Sequence, residues 1–282
     1  MGVFMNTSNA PVITDSVTTF GSDERGRAAL AGSHAGVYAA YLAAKAGVKG
    51  VILSDAGVGR EQAGIGGLKL LETLGVPGAA IGHRTARIGD GADALRRGII
   101  THVNAPAAQV GLHARMSAKV ALDLIAASEL APSPAPTPLT ETRHRIAEAE
   151  APGVNVYAID SASLVTPDDK GAIILAGSHG ALLGGRPQTA MKVDVFAGIF
   201  NDADFGIDDA GISRLPALEA RGIAAATVSA WSARIGDGMS IWRDGFVTAA
   251  NETAIRHGAE IGISAADLVH RLVAARAKEL RR

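Results

Sequence analysis

The chain has 282 residues, of which 48% are hydrophobic, 4% aromatic and 20% charged, and its formal net charge is −1. This length suits one large domain or two ordinary ones, and the balanced charge gives no electrostatic footprint for a nucleic-acid partner. The absence of cysteine excludes disulfides, thiolate metal sites and a cysteine nucleophile.

Neither a secretion signal nor a membrane segment is predicted. The N-terminal stretch MGVFMNTSNAPVITDS lacks the charged and apolar regions of a signal peptide. No apolar run approaches the roughly 18 residues needed to span a bilayer. We therefore expect a cytoplasmic protein with no membrane partner, and the apolar, alanine-rich composition favours a homo-oligomer.

Strands alternate with helices along the chain, which predicts parallel pairing with right-handed crossovers. In the first half the pattern predicts strands at 28–32, 50–55, 78–83 and 99–104, a helix at 36–46 that ends at Gly47, and a helix capped by Ser117. The segments before the first strand of each half, 12–30 and 156–175, are interpreted as hairpins because the second contains the turn sequence TPDDKG.

The second half of the chain repeats the first. Leu30–His34 recurs as Leu175–His179, Asp55-Ala56 as Asp202-Ala203, and ARIGDG at 86–91 recurs unchanged at 233–238. The repeats cover roughly 12–125 and 157–275, which is the size of a domain rather than of a solenoid unit.

The predicted organisation follows from this repeat. Residues 1–125 form a first α/β repeat, 126–156 a linker rich in proline and alanine with a short helix at 143–151, and 157–282 a second α/β repeat. The predicted fold is therefore two tandem homologous Rossmann-like units, each a mostly parallel sheet flanked by helices, related by pseudo-twofold symmetry.

Repeated polar residues follow three strands in each half, and parallel sheets bind ligands beyond the carboxyl ends of their strands. A histidine there acts as general acid or base, an aspartate orients it, and a serine acts as nucleophile or oxyanion partner. The predicted catalytic residues are Ser33, His34, Asp55, Ser178, His179 and Asp202.

Arginine in ARIGDG suits an anionic substrate, because its guanidinium grips a carboxylate or phosphate with two parallel hydrogen bonds. The predicted substrate-binding residues are Gly32, Arg87, Asp90, Asn104, Gly177, Arg234, Asp237 and Asn251. Each of these roles has a structural alternative. The serine would cap a helix, the histidine would be a hydrogen-bonded turn residue, and the arginine and aspartate would form a bridge that both halves need for the same turn.

No cofactor or metal is predicted. No G-x-G-x-x-G motif follows the first clear strand of either half and no P-loop occurs, which argues against NAD and against ATP hydrolysis. The first half alone carries His83, His102 and His113, where the second has Ala230, Ala249 and Glu260. Their spacing matches no metal signature, so the asymmetry indicates that the two halves meet substrate differently.

These features predict a cofactor-independent enzyme acting on a small carboxylate- or phosphate-bearing metabolite. Hydrolysis of a C–N or C–O bond by Ser, His and Asp, with Arg as the anion anchor, is the first hypothesis. The alternatives are a lyase or isomerase working by His/Asp acid–base chemistry, and a non-catalytic anion-binding protein.

Overall fold

The computed structural model describes residues 10–281 and divides into two compact units. The first unit comprises the chain up to Asp55 together with Ile65–Leu139, and the second comprises Ala56–Gly64 together with Thr140–Arg282. The division at 139 lies inside the predicted linker. The second unit also takes a short segment, Ala56–Gly64, that the sequence pattern places in the first repeat. Residues 1–9, part of the stretch predicted to carry no signal peptide, lie outside the described range.

The first unit contains, within the described residues, a five-stranded sheet in the order β1-β2-β3-β4-β5. The first four strands are parallel and β5 is antiparallel to β4. The strands are β1 (Val12–Thr14), β2 (Ala28–His34), β3 (Gly50–Ser54), β4 (Gly78–Ile81) and β5 (Ile100–Val103). The parallel arrangement predicted from the sequence is confirmed.

Helices cover both faces of this sheet, which explains why β2 and β3 are continuous apolar runs. One face packs against α1 (Val37–Ala46) and α2 (Gly67–Thr73). The other packs against α3 (Gly91–Arg97), α4 (Ala105–Gln109) and α5 (Ala118–Ala127). Helix α1 ends at Gly47 with a φ of 77°, and Ser117 caps α5, as the sequence predicts.

The second unit has, among the described residues, a six-stranded sheet in the order β11-β10-β9-β8-β7-β6. Its outer strands β6 and β11 are antiparallel to their neighbours and the others are parallel. The strands are β6 (Arg143–Arg145), β7 (Val156–Ile159), β8 (Ile173–His179), β9 (Ala197–Asn201), β10 (Ala224–Val228) and β11 (Val247–Ala250). The helices are α6 (Arg214–Glu219), α7 (Gly238–Asp244), α8 (Glu252–Arg256) and α9 (Ala265–Leu280), the last capped by Ser264.

Strand order is sequential in both sheets, whereas a doubly wound dinucleotide-binding sheet reverses direction at its centre. Neither sheet therefore has a point of reversal to mark a ligand crevice. What places the polar residues together is the shared register of the strand ends. His34 of β2 lies opposite Ser54 of β3, and Ser54 lies opposite Ile81 of β4.

In the described part of the second unit, no helix corresponds to α1. In its place, 3-10 turns at Leu183–Gly185 and Pro187–Thr189 cover the sheet. Gly67 packs against α1 so closely that an added Cβ would lie 2.6 Å from Ala40 Cβ. The equivalent Arg214 is buried, and its guanidinium donates to the carbonyls of Ala181 and Ala190. Burial lowers the pKa of Arg214 to about 10. An arginine side chain thus supports the segment that replaces the helix.

The hairpins predicted at 12–30 and 156–175 are wrong. β1 runs parallel to β2, with Val12 opposite Ala29, and β7 runs parallel to β8. The sequence TPDDKG forms a 3-10 turn at Pro167–Asp169 rather than a tight hairpin turn. The intervening residues are numerous enough to return the chain to the start of the next strand, which parallel pairing requires.

The short helix predicted at 143–151 is also wrong. Arg143–Arg145 is strand β6, and a single 3-10 turn follows at Ala147–Ala149. The guanidinium of Arg143 pairs with the buried carboxylate of Asp169, and Arg145 pairs with Glu150. These tertiary contacts, together with the ladder to β7, favour the extended form.

Among residues 10–281, no helix has both the length and the apolar character needed to cross a bilayer.

Candidate functional site

The carboxyl edge of the first unit's sheet holds most of the residues predicted to carry chemistry. Ser33 and His34 end β2, Asp55 directly follows β3, and His83 follows β4 by two residues. Because these strands are parallel neighbours, their carboxyl ends meet at one edge. Ser33, His34 and Asp55, which were predicted to be catalytic, thus lie at one edge of the sheet, and their catalytic roles stay predictions.

Asp55 holds a histidine, but the histidine is His83 rather than His34 or His179. Asp55 Oδ1 accepts the backbone N–H of His83 and lies 2.9 Å from Nδ1 of the same residue. The carboxylate is buried, whereas 15% of the His83 side chain is exposed. A carboxylate facing Nδ1 places the proton on that nitrogen, which makes Nε2 the basic atom of the ring. The geometry is that of an oriented general base.

A hydroxyl and a second histidine extend this pair. Thr101 donates to Asp55 Oδ2 at 3.0 Å, and His102 Nδ1 lies 3.0 Å from the Thr101 hydroxyl. Thr101 is exposed and His102 is half-buried, so the chain of hydrogen bonds runs from the buried carboxylate to the surface. His83 and His102 are both among the histidines that the first half has and the second half lacks. This difference between the halves is the feature of the sequence that could have indicated the site.

The second unit repeats the aspartate but not the imidazoles. Asp202 Oδ1 accepts the backbone N–H groups of Asp204 and Ala230, so the backbone bond that His83 makes to Asp55 is conserved by Ala230. Burial raises the pKa of Asp202. Ala230 and Ala249 stand where the first half has His83 and His102. In the second unit, Asp202 therefore has no histidine at the position that corresponds to His83.

His34 and His179 use their rings in another way. Nδ1 of His34 accepts the backbone N–H of Gly36 at 3.1 Å, and Nδ1 of His179 accepts that of Ala181 at 3.2 Å. Burial lowers the pKa of His34 to about 4. His34 is therefore neutral at physiological pH, and a base with so low a pKa accepts protons poorly there.

A stability measurement checks this property of His34. The unfolded chain protonates His34 near pH 6.5 and the folded chain only near pH 4, so the unfolded state binds more protons between these values. His34 should therefore cost the folded state up to about 3 kcal/mol as the pH falls from 6.5 to 4. We expect His34→Gln to lose less stability than the wild type across this window in urea titrations. Parallel pH curves for the two proteins would contradict the lowered pKa.

Ser33 and Ser178 are buried or half-buried and serve the backbone. Ser33 Oγ accepts the N–H of Val17 at 3.1 Å, and Ser178 Oγ accepts that of Ala162 at 2.9 Å. Within residues 10–281, neither serine hydrogen-bonds to a histidine. The nucleophile role predicted for these serines gains no support from a Ser–His pair.

The repeated motifs GSH and ARIGDG contact one another in each unit. The N–H of Gly89 donates to Gly32 O at 2.8 Å, and that of Gly236 donates to Gly177 O at 2.7 Å. Asp90 and Asp237 cap helices α3 and α7 through their Oδ1 atoms. Most of the identity between the two copies of ARIGDG is thus explained by backbone packing and capping.

The two arginines of ARIGDG differ. Arg234 donates to Asp237 Oδ2 through Nε and Nη2 and to Glu61 through Nη1, all within the second unit. Arg87 is 3.9 Å from Asp90, and 44% of its side chain is exposed. The charge of Arg234 is therefore balanced within the second unit, and the anion-anchor role predicted for Arg87 stays a prediction.

Asn104 and Asn251 are buried and fully hydrogen-bonded to backbone. Asn104 Oδ1 accepts from Gly78 and Ala107, and its Nδ2 donates to Val76 and Leu68. Asn251 makes the equivalent four bonds. Each of these side chains thus connects strands to a helix through its hydrogen bonds, and the substrate-binding role predicted for both stays a prediction.

Asn104→Ala should lower the free energy of unfolding by about 3 kcal/mol, because it leaves several buried backbone groups unpaired and removes the cap of α4. Urea unfolding measures this loss. Asn104→Asp keeps the acceptor oxygen but sets a buried carboxylate oxygen against the carbonyls of Val76 and Leu68, so it should lose at least as much. A change below about 0.5 kcal/mol, the usual size for a surface substitution, would contradict the structural role.

A strained segment follows each aspartate in the chain. Ala56, Gly57, Val58 and Gly59 all have positive φ, and so do Ala203–Gly206. Such conformations cost about 1–2 kcal/mol per non-glycine residue and concentrate at functional sites. Both segments belong to the second unit, where Arg60 N donates to Ala230 O.

The second unit also contains an open cavity of about 430 Å³ at the carboxyl edge of its sheet. Asp237, predicted to bind substrate, lines it with Asp160, His144 and Arg243. The carboxylates are engaged: Asp160 accepts from Gly238 and Thr142, and Asp237 from Arg234. No ligand class is distinguished by these side chains.

The histidines of the first half do not assemble a metal site. In the part of the chain from 10 to 281, no group of three His, Asp or Glu side chains is arranged to hold a metal ion. His113 is exposed and contacts the carbonyl of Ala114, and a chain of hydrogen bonds through Asp55 and Thr101 connects His83 to His102.

Comparison with protein-family models, with curated proteins and with solved structures finds no match to this chain.

Proposed function

We propose that the protein is a cofactor-independent enzyme whose general base is His83, oriented by Asp55 at the carboxyl edge of the first unit's sheet. The observation that carries the proposal is the double contact of Asp55 Oδ1 with the backbone N–H and Nδ1 of His83, both at 2.9 Å. Thr101 completes the support by donating to the other carboxylate oxygen.

Hydrolysis of a C–N or C–O bond is the reaction class we assign. Nε2 of His83 removes a proton from water, the resulting hydroxide attacks the substrate, and the protonated imidazole then returns the proton to the leaving group. Asp55 stabilises the imidazolium that forms between these steps. Arg87 is the proposed anchor for a carboxylate or phosphate of the substrate.

This version dispenses with a serine nucleophile, because the Ser33 hydroxyl is held by Val17 N–H and by no histidine. The lyase or isomerase alternative uses the same base on a C–H proton instead of water. A non-catalytic anion-binding protein needs Arg87 but has no use for an oriented base.

We also propose that the two units arose by duplication of one α/β unit, and that the first kept the catalytic imidazoles. Shared backbone features support this: the contact between GSH and ARIGDG, the aspartate cap and the four-bonded asparagine occur in both units. The second unit then retains the scaffold without the base.

The experiment is a metabolite-consumption assay. A mixture of small carboxylate and phosphate esters and amides is incubated with the protein, and NMR spectra follow loss of substrate and gain of product. Asp55→Asn should abolish most of the consumption, because an amide favours the wrong imidazole tautomer. His113→Ala, an exposed histidine remote from Asp55 in the hydrogen-bond network, is the control and should match the wild type.

The outcomes separate the alternatives. Elimination or isomer products that depend on His83 would assign the lyase or isomerase chemistry. Loss of activity in Ser33→Ala but not in Asp55→Asn would restore the serine nucleophile. Binding without consumption, with affinity lost in Arg87→Ala alone, would make the protein an anion-binding protein.

A further inference from the structure

The imidazole of His34 lies at this edge of the sheet and is not part of the proposed Asp55–His83 base. His34 ends β2 and lies opposite Ser54, the residue before Asp55. Neighbouring strands are about 4.8 Å apart, so the backbone of His34 lies one strand away from the carboxylate that holds His83. His34 and Asp55 therefore lie at the ends of neighbouring parallel strands, at the same edge of the sheet.

The tautomer of His34 is set by its own turn. Nδ1 accepts the N–H of Gly36 at 3.1 Å, so the ring proton of the neutral imidazole is on Nε2. Among residues 10–281, the Nε2–H of His34 has no acceptor. The ring therefore presents a fixed N–H donor that the described residues leave unused.

We infer that the Nε2–H of His34 donates a hydrogen bond to the substrate's carbonyl oxygen, and that the substrate is accordingly a small carbonyl compound such as an amide or ester. The inference rests on the proposed function and names the substrate class of the same site. His34 and His83 then have opposite roles, donor and base, fixed by what each Nδ1 contacts: a backbone N–H for His34 and a carboxylate for His83.

In the hydrolytic step the oxygen of water forms a bond to the carbonyl carbon while Nε2 of His83 takes the proton. The carbonyl π electrons move to the oxygen, and the hydrogen bond from His34 stabilises the negative charge that develops there. When the C=O bond reforms, the C–N or C–O bond breaks and the leaving group takes the proton from His83. The lowered pKa of His34 suits this role, because a neutral ring donates without releasing its proton.

The test uses the full chain labelled with ¹⁵N-histidine, and acetohydroxamate as a carbonyl-bearing probe. In the free protein at neutral pH, long-range ¹H–¹⁵N spectra should show His34 as the neutral Nε2–H tautomer. Titration with acetohydroxamate should shift the His34 Hε2 signal downfield. The same shift should occur in His83→Ala, because the donor does not depend on the base.

Variants sharpen the result. His34→Ala should weaken acetohydroxamate binding about tenfold, and His34→Gln, which retains an N–H donor, should weaken it less. An Nδ1–H tautomer in the free protein, an unmoved His34 signal at the solubility limit of the probe, or equal binding by His34→Ala would each overturn the inference.

The two proposals fail separately. If acetohydroxamate binds at His34 but His83→Ala retains full turnover, the carbonyl donor stands and the general base is wrong. If His83 is required for turnover but His34 does not respond to the probe, the base stands and the carbonyl donor is wrong.

Discussion

Replacing His83 with alanine is expected to lower the turnover rate constant by roughly 10²–10⁴-fold, the usual contribution of a positioned general base. The reason is that Asp55 fixes His83 with Nδ1 facing the carboxylate, which leaves Nε2 as the basic atom. The measurement is the initial rate of the substrate found in the metabolite-consumption assay. The folded state should survive, because Ala230 occupies the equivalent position in the second unit and makes the same backbone bond to its aspartate.

The exposed His113 provides the control for this variant. His113→Ala removes an imidazole that contacts the carbonyl of Ala114 and should turn over at the wild-type rate. A His83→Ala rate within a factor of two of His113→Ala would show that the Asp55–His83 pair is structural.

Gly32→Ala is expected to lower the free energy of unfolding by about 3 kcal/mol or more, since forced overpacking against rigid atoms is among the most damaging substitutions. A Cβ at Gly32 would lie 2.5 Å from Asp90 N, 2.7 Å from Gly89 C and 2.8 Å from Asp15 O. All three are backbone atoms, so no side-chain rotation relieves the clash. Urea unfolding is the measurement.

A matched glycine separates this clash from the general effect of adding a methyl group. Gly21 has ordinary extended backbone, and the nearest atom to its added Cβ is a side-chain oxygen 3.9 Å away. Gly21→Ala should change stability by less than about 0.5 kcal/mol. Equal effects at Gly21 and Gly32 would show that the contact between GSH and ARIGDG is not tight.

Much of the local structure could be predicted from residue types, because local chemistry decides it. Gly47 ends α1 in the left-handed conformation, and Ser117 and Ser264 cap helices through their hydroxyls. The alternation of apolar strands and helices predicted the parallel sheets. Each of these features depends on residues close together in the chain, for which spacing alone carries the information.

Pairing between distant residues could not be predicted in the same way. The segment at 143–151 has helix-forming residues, yet contacts of Arg143 with Asp169 and of Arg145 with Glu150 accompany an extended strand. The hairpin predictions were wrong because a turn sequence does not determine which strand the following strand pairs with. Among the described residues of the second unit, 3-10 turns stand where the first has α1, and Arg214 donates to the carbonyls of Ala181 and Ala190 on either side of them. The repeat alone does not reveal this difference.

The sequence by itself determined that this is an α/β protein, that its two halves repeat, and that polar residues gather beyond the strands. These conclusions follow from periodicity and composition, which a single chain displays directly. Only the tertiary structure decided that Asp55 pairs with Nδ1 of His83 and that Nδ1 of His34 accepts the N–H of Gly36. The physical reason is that an imidazole's role depends on which atom faces each ring nitrogen, and those atoms are brought together by the register of parallel strands.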